Sequence, residues 1–146
     1  MNAASVSVAL AGSGGAGVMT AGNMLLEAAA QAGYYSLMTR TSGPQIRGGE
    51  AAAMVRVCTF PTDAQDDRFA VLAAIDWQNV GRFAAEIPLD SSSLIIGDPA
   101  QGDPPELFLK SGARYLPLPL KALAKQIEGG WPNMVALGVL AGLMGL

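Results

Sequence analysis

A cluster of glycines follows an apolar run near the start of this chain, and this combination constrains the fold more than any other feature. The run Val6-Ser-Val-Ala-Leu-Ala leads into Gly12-Ser-Gly-Gly-Ala-Gly17, and a helix-like segment rich in Ala, Leu and Met follows. The order strand, tight turn, helix N-terminus is one that holds a phosphate or diphosphate on backbone N–H groups. The glycines therefore point to a nucleotide-like ligand. The alternative is that they only permit a tight turn.

The rest of the chain alternates short apolar segments with helix-like ones, which predicts an α/β fold with a largely parallel sheet. We expect strands at residues 5–11, 34–39, 51–58, 69–75, 93–97 and 115–118, and helices at 17–32, 77–87, 121–128 and from 133 onward. Residues 40–49 are expected to form a loop. Since ligands bind beyond the carboxyl ends of strands in such sheets, we expect the glycine loop (residues 12–17) and this second loop to share one edge.

Charge and hydropathy limit the classes of partner. The 146 residues are 51% hydrophobic and 14% charged, with a net charge of −3. The negative charge argues against binding to nucleic acid. Soluble domains usually carry about 25% charged residues, so we expect the apolar surplus to be buried against other subunits. The start of the chain does not read as a signal peptide, and the apolar tail is shorter than the roughly 20 residues that span a bilayer. We therefore expect a cytoplasmic protein without membrane contact.

The chain has one cysteine, Cys58, and no histidine. A single cysteine cannot form an internal disulfide, and by itself it cannot hold an iron–sulfur cluster or a structural zinc. Histidine is the commonest general base and metal ligand. We therefore expect Cys58 to be a buried apolar residue and the chain to carry no catalytic or metal-binding residue of its own.

The second signal is the segment Arg40-Thr-Ser-Gly-Pro-Gln-Ile-Arg47-Gly-Gly49. NAD-binding folds place an acidic residue near the end of the second strand to hold the ribose diol, whereas Arg40 in that place suits a phosphate on the ribose. Two arginines and the hydroxyls of Thr41 and Ser42 can hold an anionic phosphate, and the two glycines let another backbone approach closely. The alternative is an interface loop whose arginines pair with acids of a partner subunit.

A few other polar residues have simpler interpretations. Lys121 and Lys125 lie one helical turn apart and are interpreted as a solvated face, and Asp98 as a turn residue before Pro99. Asn133 either caps the last helix or places its amide near the ligand.

Three motifs together resemble the gamma subunit, or gamma domain, of the 2-oxoacid:ferredoxin oxidoreductases, which act on pyruvate, 2-oxoglutarate, branched-chain oxoacids or indolepyruvate. They are Gly12-Ser-Gly-Gly-Ala-Gly-Val-Met-Thr-Ala-Gly-Asn, Ser42-Gly-Pro-Gln-Ile-Arg-Gly-Gly-Glu and Pro132-Asn-Met. The resemblance implies a Rossmann-like three-layer sandwich with a mostly parallel sheet and helices on both faces. It also implies that residues 1–146 are a single gamma-type domain, truncated or part of a fused gamma–alpha subunit.

The resemblance further implies the chemistry. The complete enzyme decarboxylates a 2-oxoacid on thiamine diphosphate, passes electrons through iron–sulfur clusters to ferredoxin and forms acyl-CoA. Thiamine diphosphate with Mg and the clusters belong to alpha, beta and delta or ferredoxin-type partners, while the gamma domain, inactive alone, helps to bind coenzyme A. By motif position the residues that bind coenzyme A are Gly12, Ser13, Gly14, Gly15, Ala16, Gly17, Arg40, Thr41, Ser42, Arg47 and Asn133.

Two other functions stay open. One is a stand-alone NADP-binding domain, which fits Arg40 at the ribose position. The other is a purely structural module that holds the alpha and beta subunits together while its glycine loop stays empty.

Overall fold

A six-stranded mixed sheet forms the centre of the molecule. The computed structural model describes residues 1–44 and 48–146. Within them the strands are β1 (Ser5–Ser13), β2 (Tyr35–Ser42), β3 (Glu50–Cys58), β4 (Val71–Ala74), β5 (Leu94–Gly97) and β6 (Arg114–Pro117). The α-helices are α1 (Val18–Gln31), α2 (Glu106–Leu109), α3 (Leu120–Lys125) and α4 (Pro132–Met144). The strand order is β2-β3-β1-β4-β5-β6, and β3 alone among these strands runs against its neighbours. The predicted α/β fold with a mostly parallel sheet is confirmed.

Both faces of the sheet are covered. On one face, α1, α3 and α4 pack on the strands through Leu25, Leu120 and Leu140. On the other face, α2 and a short 3-10 turn, Val80–Phe83, contribute Phe108 and Phe83. The result is the predicted three-layer sandwich, although the second helical layer is built from very short pieces.

The middle of the sheet explains the apolar run that opens the chain. Val8 and Leu10 of β1 join the core on the α1 face, while Ala9 and Ala11 join the core on the other face. Successive strand residues point to opposite faces, so a strand covered on both sides must be apolar at every position. Cys58, at the end of β3, is fully buried, which confirms its interpretation as an apolar core residue.

The predicted helix at 77–87 is wrong. Only Val80–Phe83 form a 3-10 turn, and Asn79 just before it has a φ of 56°, which an α-helix does not accommodate. Four apolar residues of this segment are nevertheless buried at intervals of three and four, which are typical of a helix: Trp77, Val80, Phe83 and Ile87. Burial against the sheet satisfies that pattern without a regular helix, so periodicity alone misassigned the segment.

The predicted loop at 40–49 also begins later than expected. Strand β2 continues to Ser42, and Arg40, Thr41 and Ser42 pair with Ala53, Ala52 and Ala51 of β3. In the described part of the chain, no helix is long and apolar enough to cross a membrane.

Candidate ligand-binding site

The glycine loop lies at the carboxyl end of β1. Gly14–Ala16 form a 3-10 turn, Gly17 has a φ of 78°, and α1 begins at Val18. A left-handed φ of this kind favours glycine, so the sequence places its last loop glycine where the turn requires it. After β1 the chain passes through α1 to β2, which lies on one side of the β1–β4 pair in the sheet. After β4 it continues to β5, which lies on the other side of that pair. The loop therefore lies at the topological switch point, where α/β sheets bind ligands.

Asp76 fixes the start of the glycine loop. It follows β4, and its carboxylate accepts hydrogen bonds from the backbone N–H of Ser13 at 3.1 Å (Oδ1) and 3.0 Å (Oδ2) and from the Ser13 hydroxyl at 2.7 Å. The N–H of Gln78 donates to the same carboxylate at 3.1 Å. Asp76 was not among the site residues predicted from the sequence. The available signal was an acidic residue directly after a buried strand.

Asn133 fixes the end of the loop. Helix α4 begins at Pro132, and the Asn133 side chain, in the first turn, is 9% exposed and donates from Nδ2 to the Gly17 carbonyl at 3.1 Å. A Cβ at Gly17 would overlap this amide. Asn133 therefore does not cap its own helix. Its amide lies beside the glycine loop, and its position near a ligand stays a prediction.

The two glycine-rich segments meet, as expected, at one edge of the sheet. A Cβ at Gly14 would lie 2.8 Å from the Gly49 carbonyl oxygen, so the two backbones are in close contact. The N–H of Gly43 donates to the Glu50 carbonyl at 2.9 Å, which closes the base of the second segment. Arg47, a predicted ligand contact, lies outside the described residues together with Gln45 and Ile46.

A buried acid lies under the second segment. Glu50 is 2% exposed, and its Oε1 lies 2.6 Å from Nε of Arg82. Arg82 belongs to the 3-10 turn Val80–Phe83, which packs on the face of the sheet opposite α1. A Cβ at Gly43 would overlap the Glu50 carboxylate, so this glycine lets the chain pass over the buried acid. The pair was not predicted because Glu50 and Arg82 are distant in the chain and neither lies in a recognisable sequence pattern.

The basic and hydroxyl residues of β2 lie apart from the glycine loop. Ser42 and Gly12 lie at the same height in the sheet, because both pair with Ala51. Arg40 and Leu10 lie at the same height in the sheet, because both pair with Ala53. From the spacings within a sheet, the Cα of Arg40 lies about 10 Å from the Cα of Ser13 across the strands and about 10 Å from it along the strands. Arg40 is exposed on the α1 face. The structure therefore brings Ser42 near the edge and leaves Arg40 away from the loop.

A cleft of about 390 Å³ opens beside the loop on the β4 side. Ser13, Gly15, Ala16 and Asp76 form one wall. The opposite wall is formed by α3 and the segment before α4, including Lys121, Lys125 and Trp131. The two lysines are exposed, as expected for a solvated face, but they also face the cleft. Trp131 is 69% exposed at its rim and separates it from a second cleft lined by Gly17, Thr20, Met24 and Asn133.

Asp98 holds the start of α3 in place. This residue is 2% exposed and accepts hydrogen bonds at 2.9 Å from the N–H groups of Ala100 and Lys121. The first bond is the turn role expected from the sequence. The second bond fixes the backbone of Lys121. The buried carboxylate of Asp98, which directly follows β5, therefore sets the position of one lysine of the cleft.

Comparison with known proteins identifies the family. The family model described as pyruvate ferredoxin/flavodoxin oxidoreductase matches residues 7–146. The 2-oxoglutarate synthase subunit KorC of Archaeoglobus fulgidus is 30% identical over 148 aligned positions, which cover 97% of this chain and 72% of that protein.

Solved structures agree. The 2-oxoglutarate:ferredoxin oxidoreductase of Magnetococcus marinus, described with 2-oxoglutarate, coenzyme A and succinyl-CoA bound, superposes with a TM-score of 0.78 at 26% identity. The match covers 96% of this chain but only 24% of that one. The gamma subunit of a keto/oxoacid ferredoxin oxidoreductase from Geobacter sulfurreducens and the pyruvate oxidoreductase subunit PORC of Thermotoga maritima share the fold, each with a TM-score of 0.72, at 20% and 22% identity. Each of these matches covers 98% of this chain and 78% of the other. The chain belongs to the pyruvate ferredoxin/flavodoxin oxidoreductase family and corresponds to one subunit or domain of a 2-oxoacid:ferredoxin oxidoreductase.

Proposed function

We propose that this gamma domain helps its enzyme to bind coenzyme A during the oxidation of a 2-oxoacid to an acyl-CoA. The observation that carries the proposal is the glycine loop at the β1–β4 switch point, held at one end by Asp76 and at the other by Asn133. Backbone N–H groups at the start of a helix favour a diphosphate, and coenzyme A carries one. The relative from Magnetococcus marinus, solved with coenzyme A and succinyl-CoA bound, supports the choice of ligand.

The proposal divides the chemistry among chains. The iron–sulfur clusters belong to partner subunits, because the one cysteine of this chain is buried in the core. Thiamine diphosphate with Mg is assigned to partner subunits on the basis of the family resemblance alone. Clusters need several thiolates. This chain's contribution is to hold the acceptor of the acyl group and to orient it, without itself exchanging protons or electrons with the substrate.

The residues around the loop have different roles in this proposal. Gly12–Gly17 hold the diphosphate through the backbone, and Ser42 lies on the same edge within reach of the same ligand. Asn133 acts by holding Gly17 in place. Arg40 and Thr41, behind the edge, contact a part of the ligand that extends over β2. Arg47 stays a predicted phosphate contact.

The surface of α4 supports assembly with partners. Its sequence from Pro132 to Met144 contains no charged residue, and its exposed positions include Leu143, 56% exposed. A surface helix that is apolar all round is normally covered by another element. We propose that alpha and beta subunits, and a ferredoxin-type partner, complete a cytoplasmic enzyme around a single gamma domain. Fusion of this domain to an alpha subunit stays a prediction.

Calorimetry on the assembled enzyme tests the proposal. Arg40→Ala and Arg47→Ala are expected to weaken coenzyme A binding by roughly tenfold each, the value of a charge-assisted contact. Arg114→Ala, an exposed arginine on the opposite edge strand β6, is the matched control and should leave the affinity unchanged. An unchanged affinity in both test variants would remove these arginines from the site. Loss of assembly instead would favour the interface interpretation.

A further inference from the structure

Glu50 lies where the two glycine-rich segments meet. It opens β3, and in the sheet register it is the partner of Ser13, the last residue of β1. Gly49, the residue before it, is the backbone that Gly14 of the glycine loop closely approaches. The carbonyl of Glu50 also accepts a hydrogen bond from the N–H of Gly43 at 2.9 Å. One residue therefore adjoins both segments at the same edge of the sheet.

The carboxylate of Glu50 depends on one cation in the described part of the chain. It is 2% exposed, and its ion-pair partner among these residues is Arg82. Asp98, a second buried carboxylate, instead accepts hydrogen bonds from backbone N–H groups. A buried carboxylate without a partner is strongly unfavourable, so it either takes up a proton or moves toward water. The charge of Arg82 therefore keeps the Glu50 side chain in place.

The core holds the backbone from which Arg82 extends. In the 3-10 turn Val80–Phe83, the side chains on either side of it, Val80 and Phe83, are buried against the sheet. The N–H of Arg82 donates to the Asn79 carbonyl at 3.2 Å. Although the Arg82 side chain is 56% exposed, its origin is fixed. The ion pair therefore links the base of the second segment to a turn that is packed on the sheet.

The Glu50 carboxylate packs against the backbone of the second segment. A Cβ at Gly43 would overlap this carboxylate, so only a glycine leaves room for it there. A shift of the carboxylate toward water therefore displaces Gly43 and its neighbour Ser42 at the end of β2. Such a displacement changes the spacing between the second segment and the glycine loop.

We propose that Glu50 and Arg82 are positioning residues, whose ion pair holds the second segment against the glycine loop and thereby sets the affinity of the assembled enzyme for coenzyme A. The inference rests on the proposed function, and it assigns no ligand contact to either residue. A misplacement of about 1 Å that originates at a distant residue can cost about 100-fold in rate. The pair acts on the ligand through the backbone at Gly43 and Gly49.

Steady-state kinetics of the assembled enzyme, measured as 2-oxoacid-dependent reduction of an acceptor, tests the pair. Arg82→Met removes the cation and should raise the KM for coenzyme A about tenfold while leaving kcat nearly unchanged. Glu50→Met combined with Arg82→Met leaves no buried charge without a partner, so it should restore most of the affinity. Arg82→Lys keeps the cation and should stay close to the wild type.

Two further variants complete the set. Arg82→Gln keeps a hydrogen-bond donor but loses the charge, so it should raise the KM for coenzyme A by a smaller factor than Arg82→Met. This milder variant keeps the test decisive if Arg82→Met does not assemble. Arg68→Met breaks the ion pair of Arg68 with Asp90, at 3.2 Å between two half-exposed side chains. It is the matched control and should change neither KM nor kcat.

The kinetic pattern separates positioning from a purely structural role. A fall in kcat with an unchanged KM for coenzyme A, in Arg82→Met and Arg82→Gln alike, would overturn the inference. A double variant as impaired as Arg82→Met would do the same, because the unpaired charge would then not be the cause.

Gly14→Ala distinguishes the inference from the proposed function, because its Cβ separates the same two segments directly. If Gly14→Ala raises the KM for coenzyme A and the Arg82 variants do not, the inference fails and the proposed function stands. If none of these variants changes that KM, the proposed function fails as well.

Discussion

The carboxylate of Asp76 receives both the backbone N–H and the hydroxyl of Ser13, at 3.0 and 2.7 Å, and so joins the ends of β4 and β1. Without this acceptor the Ser13 N–H would lose its partner in a partly buried position. Asp76→Ala should therefore lower the free energy of unfolding by about 1–3 kcal/mol, and Asp76→Asn, which keeps one acceptor oxygen, by less. Urea denaturation of the chain measures both. Asp63→Ala, an exposed aspartate, is the control and should change stability by less than about 0.5 kcal/mol. Equal stability of the wild type and Asp76→Ala would contradict this role.

Gly17 and Asn133 should be energetically coupled. Gly17→Ala introduces strain at a φ of 78° and a Cβ that overlaps the Asn133 amide, whereas Asn133→Ala removes that amide and its hydrogen bond to the Gly17 carbonyl. The double variant should therefore be less destabilised than the sum of the single variants, by about 0.5–3 kcal/mol. A double-mutant cycle by denaturation measures the difference. Strict additivity would mean that the two residues do not interact.

Adjacent glycines of the loop should respond differently to the same change. Gly14→Ala forces a Cβ to within 2.8 Å of the Gly49 carbonyl, so the two loops must separate, and we expect a loss of about 1–3 kcal/mol. A Cβ at Gly15 meets nothing within 4 Å, and its φ is not in the left-handed region. Gly15→Ala should be neutral or stabilise the fold by about 0.4–1 kcal/mol. Thermal melts of the two variants compare them directly, and equal losses would argue against contact between the loops.

Asp90 provides a pH-dependent prediction away from the site. The pKa of Asp90 lies below its usual 3.8. The largest cause is the hydrogen bond from the Ser92 hydroxyl, followed by the hydrogen bond from the Ser92 N–H and the positive charge of Arg68, while burial partly opposes them. Its charged form therefore stabilises the fold above pH 3.8, and this contribution is lost as the pH falls through the lower pKa of the folded state. Ser92→Ala should raise the pKa of Asp90 toward 3.8, as carboxyl NMR titration would show. Ser91→Ala should leave it unchanged.

Local pattern predicted what depends on neighbours in the sequence. The buried strand β1, the turn at Gly12–Gly17 and the contact made possible by Gly48 and Gly49 could all be foreseen, because a glycine's freedom and a strand's alternation are local properties. The segment at 77–87 shows the limit of this approach. Its apolar spacing is helical, but packing against the sheet and the left-handed Asn79 produce a short turn instead.

The contacts that complete the site could not be foreseen. Asp76 and Ser13 are 63 positions apart, and Asn133 and Gly17 are 116 positions apart. From the sequence, Lys121 and Lys125 were interpreted as a solvated face. The fold places them on α3, across the cleft from the glycine loop. Such pairs depend on which strands become neighbours, and local sequence patterns do not reveal that order. The second loop could be placed on the correct edge, but the position of Arg40, level with Leu10 rather than at the edge, required the strand register.

A structure of the assembled enzyme with coenzyme A bound would show whether the glycine loop holds this ligand. We expect the diphosphate to lie against the backbone of Gly12–Gly17. Coenzyme A bound entirely by partner subunits, with the glycine loop of this chain free of ligand, would contradict it.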